Sequence, residues 1–419
     1  MDTLSNDELQ HRLLFDYNKS ATDVRAELQA LLPEHPKAFL EQLMTSKHLD
    51  HRHIAGAERY FRSAVRNVFR LDKTLHPLRN ALGLNTGAWR TAWTKRCLPS
   101  LVSSLDNAVS MPQTNEFEWH FTLTVKPDVV PDGETIRCWL PLPNTIVPYQ
   151  QADEHIVTSV ANPIVSGNRS AHSTVYLEQK ALAGQPTVFS VKQRVRLSTE
   201  VHNFSQVDDC RSTTNENLTP YLEERPPHIV FSKLLKELSA EIVNPLHTPW
   251  EKVCDIFSWI SREIPWVSAR EYATIDNIPE HVLQQMGGDC GEKTLLFIAL
   301  CRLNGIAARW QSGFMLHTRH QNLHDWAEIY HPTFGWVAVD VSFGLQTHLP
   351  NLPLRQFYLG NRDGYHLVVN SDFGAELFPK KQFPRSETVD FQRGEVEWRG
   401  GNLYFDQWHY TFKAVRKQH

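Results

Sequence analysis

Gly287-Gly288-Asp289-Cys290-Gly291-Glu292-Lys293 leads directly into Thr294-Leu295-Leu296-Phe297-Ile298-Ala299-Leu300-Cys301-Arg302-Leu303. A glycine pair followed by a long apolar run predicts a tight turn and then a buried helix, with Asp289 as its N-cap and Cys290 in its first turn. A thiol in that position has its ionised form favoured by the helix dipole, and more so beside a positive imidazole. His324 and Asp340 follow 34 and then 16 residues later. That order of thiol, imidazole and carboxylate suits a nucleophilic site. His324 would take the thiol proton and return one to a leaving amine, and Asp340 would hold the other ring nitrogen. The glycines would let a substrate carbonyl approach the Cys290 backbone N–H as an oxyanion donor.

His324 lies in Leu323-His324-Asp325-Trp326-Ala327-Glu328-Ile329-Tyr330, where Trp326, Glu328 and Tyr330 alternate with Ala327 and Ile329 as in a strand. After Pro332-Thr333-Phe334-Gly335, the run Trp336-Val337-Ala338-Val339-Asp340 reads as a second strand, so the two predict a hairpin. His324 and Asp340 can then sit side by side, with the Cys290 helix packed on the sheet and its sulfur at the exposed edge of the imidazole. Trp326 is expected near the cleft. Glu328, on the His324 face, either supports the site from behind or is a solvated charge, and a structural role is favoured.

Gly288-Asp289-Cys290-x-Glu292 before an apolar helix, Arg302-x-Asn-Gly-Ile-Ala-Ala-Arg309, His324-x-Trp-x-Glu-x-Tyr330 and Gly335-Trp-x-x-x-Asp340 together resemble the transglutaminase-like superfamily of bacterial cysteine hydrolases. The resemblance runs from Phe231 to Phe343 and fills all three catalytic positions, Cys290, His324 and Asp340. It implies a papain-like core and acyl transfer from an amide to water or an amine. Papain-like enzymes take an oxyanion donor from a side chain shortly before the cysteine, which points to Gln284 or Gln285. Other members use an upstream aromatic donor, which points to Trp266 or Tyr272. The sequence leaves the four open.

The expected fold is multidomain α+β. Residues 1–110 carry apolar positions at helical spacing (Leu13, Leu14, Tyr17, Val24, Leu28, and on through Val65 and Val68) and predict a helical domain. From Phe117 the period becomes two, and residues 115–205 predict a β-sandwich. Its Trp-Leu-Pro-Leu-Pro ending is similar to the β-domain before the catalytic core in some bacterial relatives. Two amphipathic helices then open a transglutaminase-like core over 215–350, and 351–419 reads as a β-rich extension packed on that core. Asp363 and His366 fall in a polar segment, where they either border the cleft or form a turn, and the turn is favoured.

In 419 residues, 43 Lys+Arg against 47 Asp+Glu leave a net charge of −4, which gives no electrostatic case for nucleic acid or an anionic membrane surface. No apolar run reaches the ~20 residues of a membrane span. The polar, acidic start is unlike a signal peptide, although resemblance to exported proteins keeps a periplasmic or secreted location open. The six cysteines show no CxxC spacing, which argues against a zinc ribbon or disulfide framework, and Cys254 and Cys301 read as core. His48, His51 and His53 lack a supporting carboxylate pattern and read as surface. No metal or cofactor is expected, and the expected partner of a monomeric chain is a peptide or protein substrate. The leading function is a cysteine-dependent peptidase or amidase working through a thioester. The alternatives are a transglutaminase, in its calcium-regulated form with an ion near Asp363 and Asp372, and a non-catalytic peptide- or glycan-binding protein on the same fold.

Overall fold

The computed structural model describes residues 4–84, 87–103, 113–204 and 216–417. The first part holds helices α1 (Asn6–Asp16), α2 (Ala21–Leu31) and α3 (Lys37–Met44), a hairpin of β1 (His51–Ile54) and β2 (Ala57–Tyr60), then α4 (Ala64–Leu71), α5 (His76–Ala81) and α6 (Ala88–Ser103). The hairpin departs from the expected all-helical domain. Ala55 and Gly56 both take positive φ, the conformation of a two-residue turn between twisted strands. His51 and His53 are exposed on β1, and His48 precedes it.

Residues 114–198 supply β3 (Thr114–Val125), β4 (Thr135–Pro141), β5 (Gln150–Ala152), β6 (Val157–Thr158), β7 (Ile164–Val165), β8 (Thr174–Lys180) and β9 (Thr187–Ser198). The core region adds α7 (Lys233–Ile242), α8 (Pro249–Glu263), α9 (Ile278–Gln285), α10 (Cys290–Leu303), β10 (Ala308–His317), β11 (His320–His331) and β12 (Gly335–Val339). After it come α11 (Leu352–Arg355), β13 (His366–Asn370), β14 (Glu395–Trp398), β15 (Gly401–Leu403) and β16 (Trp408–Arg416).

Strand pairing redistributes the last segment. β13 joins the core sheet, ordered β12-β11-β10-β13, whereas β14 and β15 extend the sheet of β4, β8 and β7, and β16 flanks β3 in the sheet with β9 and β5. The expected extension therefore belongs partly to the core and partly to the sandwich. Hydrophobic alternation explains the join: Phe117, Trp119, Phe121, Leu123 and Val125 of β3 are all buried, and Trp119 meets Phe314 of β10 at a ring-centroid distance of 4.4 Å. His366 is thus the first residue of a buried strand. Gly313 makes room for that strand, because a Cβ there would lie 2.0 Å from the Leu367 carbonyl oxygen.

Helix α10 is buried along nearly its whole length, as its all-round apolar sequence demands. Asp289 caps it. The Asp289 side chain accepts from Glu292 N at 3.0 Å while Glu292 Oε2 accepts from Asp289 N at 3.0 Å, a reciprocal capping box. The helix packs with Leu295 to Cys301 against Ala308, Trp310, Ala327 and Ile329 of the sheet.

Candidate active site

Period-two alternation in β11 fixes the first relation at the site. Ala327 and Ile329 share a cluster with α10, whereas Trp326 packs on the other face with Val147, Tyr149, Ala338 and Val368. Asp325 therefore shares the α10 face and His324 shares the face of Trp326. The Cys290 thiol donates to Asp325 Oδ2 at 3.1 Å. The thiol's hydrogen bond thus goes to Asp325 and not to the imidazole beside which the sulfur was expected.

His324 and Asp340 are brought together as expected. His324 Nε2 lies 2.7 Å from Asp340 Oδ2 with both side chains buried, and Asp340 Oδ1 accepts from Ser342 N at 2.9 Å and Phe343 N at 2.8 Å. With Nε2 donating, Nδ1 is the ring nitrogen left to accept, and it has no hydrogen-bond partner among the described residues. Burial would raise the Asp340 pKa, but the opposing effects of His324 and His366 hold the carboxyl well below its usual range.

His366, assigned to a turn from the sequence, instead stands beside Asp340. Its Nε2 lies 3.1 Å from Asp340 Oδ2 and its Nδ1 lies 3.0 Å from Asp363 Oδ1. Asp363 Oδ2 in turn lies 3.0 Å from His317 Nε2 and 3.0 Å from the Tyr358 hydroxyl. Burial disfavours the imidazolium, but Asp363 and Asp340 outweigh it and push His366 up to about 9. The polar segment 361–365 hid a strand start, and only pairing with β10 carries His366 beneath Asp340. Nitrogen and oxygen atoms of His324, Asp340 and His366 all lie within 4.8 Å of one another, close enough to share a metal ion. Trp326 and Phe343 rings pack against both histidines.

Cys290 opens on a cavity of about 200 Å³ lined by Trp266, Tyr272, Asp289, Asp325, Asp390 and Gln392, among others. The surroundings favour the thiol over the thiolate. Burial, then the charges of Asp325 and Asp289, push the Cys290 thiol well above its ordinary range. Burial also raises Asp289 to about 6 and lifts Asp325 and Asp390 well above the carboxylate range. One turn along α10, buried Lys293 is lowered to about 8 by desolvation and by Arg90, against the attraction of Asp340 and Cys290.

The four oxyanion candidates separate in space. Tyr272 lines the Cys290 cavity and its hydroxyl donates to Asp289 Oδ1 at 2.6 Å. Gly291 permits this, because a Cβ there would come within 2.2 Å of that hydroxyl. Trp266 is 40% exposed at the same cavity, beside the Gly288 backbone. Gln284 and Gln285 line a different cavity, with Lys47, His48 and Met286, and Gln285 Nε2 donates to the Gly287 carbonyl at 2.8 Å. They lie in α9, on the far side of the turn that precedes Cys290.

Gln392 is a further residue with no signal near the motifs. Its Nε2, with two protons to donate, lies 2.8 Å from Asp325 Oδ1 and 3.0 Å from each of the His324 and Gly313 carbonyl oxygens. Glu328 is fully buried and pairs with Arg309 at 2.7 Å and Arg362 at 2.8 Å, a structural position. Cys301 is buried and Cys254 packs at the edge of the same cluster, while Cys210 lies outside the described residues. The carboxylates suggested for calcium are engaged by protein donors: Asp363 as above, and Asp372 by Arg225 at 2.7 Å.

Residues 236–341 match the family model of the Transglutaminase-like superfamily. The comparison with curated proteins returned no match. Among solved structures, the chain is similar to a candidate cysteine protease from Cytophaga hutchinsonii, with 15% identity and a TM-score of 0.48 over 73% of this chain and 93% of that one. It is also similar to the periplasmic domain of TgpA from Pseudomonas aeruginosa bound to ethylmercury, with 15% identity and a TM-score of 0.27 over 58% of this chain and 94% of that one.

Proposed function

We propose that this chain, whose residues 236–341 form a transglutaminase-like core, is a cysteine-dependent amide hydrolase with Cys290 as nucleophile, His324 as base and Asp340 as its orienter. The observation that carries the reading is the buried 2.7 Å contact of His324 Nε2 with Asp340, which leaves Nδ1 to accept a proton. The thiol first rotates about its Cα–Cβ bond away from Asp325, and its proton passes to Nδ1. The thiolate then attacks the amide carbonyl, the C–N bond breaks, and His324 returns the proton to the leaving amine. Water hydrolyses the thioester. The Cys290 backbone N–H is one donor for the oxyanion, and the Tyr272 hydroxyl becomes the second when its proton turns from Asp289 to the substrate oxygen.

Hydrolysis is favoured over amine transfer by the polar lining of the Cys290 cavity, where Asp289, Asp325 and Asp390 stand in place of apolar walls that would exclude water. The test is incubation of the protein with a peptide library and, separately, with a glutamine peptide and a labelled amine, each beside Cys290→Ala. Cleavage by the parent alone is the expected result. Amine incorporation would establish the transferase instead, and no reaction in either assay would leave a binding protein.

A further inference from the structure

A second cavity, of about 490 Å³, adjoins the first and is lined by Arg70, Arg79, Arg90 and His348 together with Trp266 and Phe343. None of its described lining residues is acidic. Nη1 of Arg70 and Nε of Arg79 are buried without a hydrogen-bond partner among the described residues. Arg90 donates to the Ser342 carbonyl at 2.8 Å and lies 5.2 Å from the Phe343 ring. Arg70 lies 4.7 Å from the Trp266 ring, and burial together with the charges of Arg66 and Arg79 lowers it to about 10. Half-buried guanidinium groups around one space, two of them with a buried nitrogen lacking a partner and with no carboxylate among the described lining residues, favour a ligand that brings the opposite charge. A guanidinium also matches the planar or tetrahedral oxygens of a carboxylate or phosphate.

The position ties this cavity to the chemistry. Trp266 lines both cavities, and its backbone bridges to Gly288, two residues before Cys290. Phe343, on the other wall, lies 5.1 Å from the His324 ring. We propose that the arginine-lined cavity is a substrate subsite for an anionic group, a carboxylate or a phosphate, carried by the molecule whose amide reaches Cys290. That this molecule is a substrate rests on the hydrolase reading above, whereas recognition of an anion rests on the cavity alone.

Calorimetric titration of full-length Cys290→Ala at low salt tests the site without requiring turnover. The probes are N-acetylglycylglycine, its neutral amide N-acetylglycylglycinamide, and inorganic phosphate. We expect at least one anion to bind tenfold or more tightly than the neutral amide. Arg79→Gln and, separately, Arg70→Gln in the same background should each weaken that binding at least tenfold. Thermal melts of both variants check that they fold, and the two substitutions sit on different helices, so one folded variant suffices. Binding of the acid alone identifies a peptide carboxylate, and binding of phosphate alone a phosphorylated substrate. Failure of both anions to bind more tightly than the neutral amide, or parent-like binding by a folded arginine variant, would overturn the proposal. Failure of the wild type to cleave peptides would strike the hydrolase reading and leave anion binding intact. Cleavage without anion binding would do the reverse.

Discussion

The Cys290 sulfur lies 3.1 Å from Oδ2 of Asp325, the residue that follows His324 in β11. A carboxyl oxygen accepting from the thiol stabilises the thiol's protonated form, and whenever Asp325 is ionised its charge adds to the cost of a thiolate. Asp325→Asn should therefore lower the thiol pKa and speed alkylation of Cys290 by iodoacetamide at neutral pH by roughly tenfold. Peptide mapping would follow Cys290 separately from the other cysteines. An unchanged or slower rate would show that Asp325 does not hold the thiol protonated.

Asp340 joins His324 at 2.7 Å and fixes the tautomer that leaves Nδ1 free. Asp340→Asn should preserve the far-ultraviolet circular dichroism spectrum and lower kcat by up to about 10⁴-fold, and His324→Ala should cost a comparable factor. Peptide cleavage by either variant at the parental rate would remove both residues from the mechanism.

His366 is raised from 6.5 to about 9 in the fold by Asp363 and Asp340, which outweigh burial. A group bound more tightly to its proton in the folded state stabilises that state fully below the unfolded pKa. The contribution is lost as pH rises through the folded value. The unfolding temperature should accordingly fall between about pH 7 and 9. His366→Gln should flatten that dependence, and an equally steep decline in the variant would point to another group.

The Tyr272 hydroxyl sits 2.6 Å from Asp289 at the head of α10, in space that Gly291 leaves open. If it donates to the oxyanion, Tyr272→Phe should lower kcat by about 10²–10³-fold with little change in KM. Gly291→Ala should displace the ring and reproduce the defect. A change confined to KM would assign Tyr272 to substrate binding.

Local pattern made part of this site legible. The apolar run after Cys290 specified a buried helix, Asp289 its cap, and the alternation on either side of Gly335 the hairpin that joins His324 to Asp340. These features depend on neighbours within a few residues, where helical and strand periods leave a direct trace. The same alternation contained the relation of Asp325 to α10, since odd positions carry Ala327 and Ile329 toward the helix.

What the chain could not reveal from local pattern were contacts made across long separations. His366 reaches Asp340 because β13 pairs with β10 at Gly313, and Gln392 reaches Asp325 from a segment remote from every motif. β14 to β16 complete the sandwich that an upstream segment began. The three arginines of the second cavity come from α4, α5 and α6, and in sequence they look like solvated surface charges. Sequence determined the helix, the hairpin and the candidate nucleophilic residues, because those follow from short-range periodicity and motif spacing. Tertiary structure decided that the thiol bonds Asp325 and that three arginines gather around one cavity, because burial and charge pairing are set by packing between elements distant along the chain.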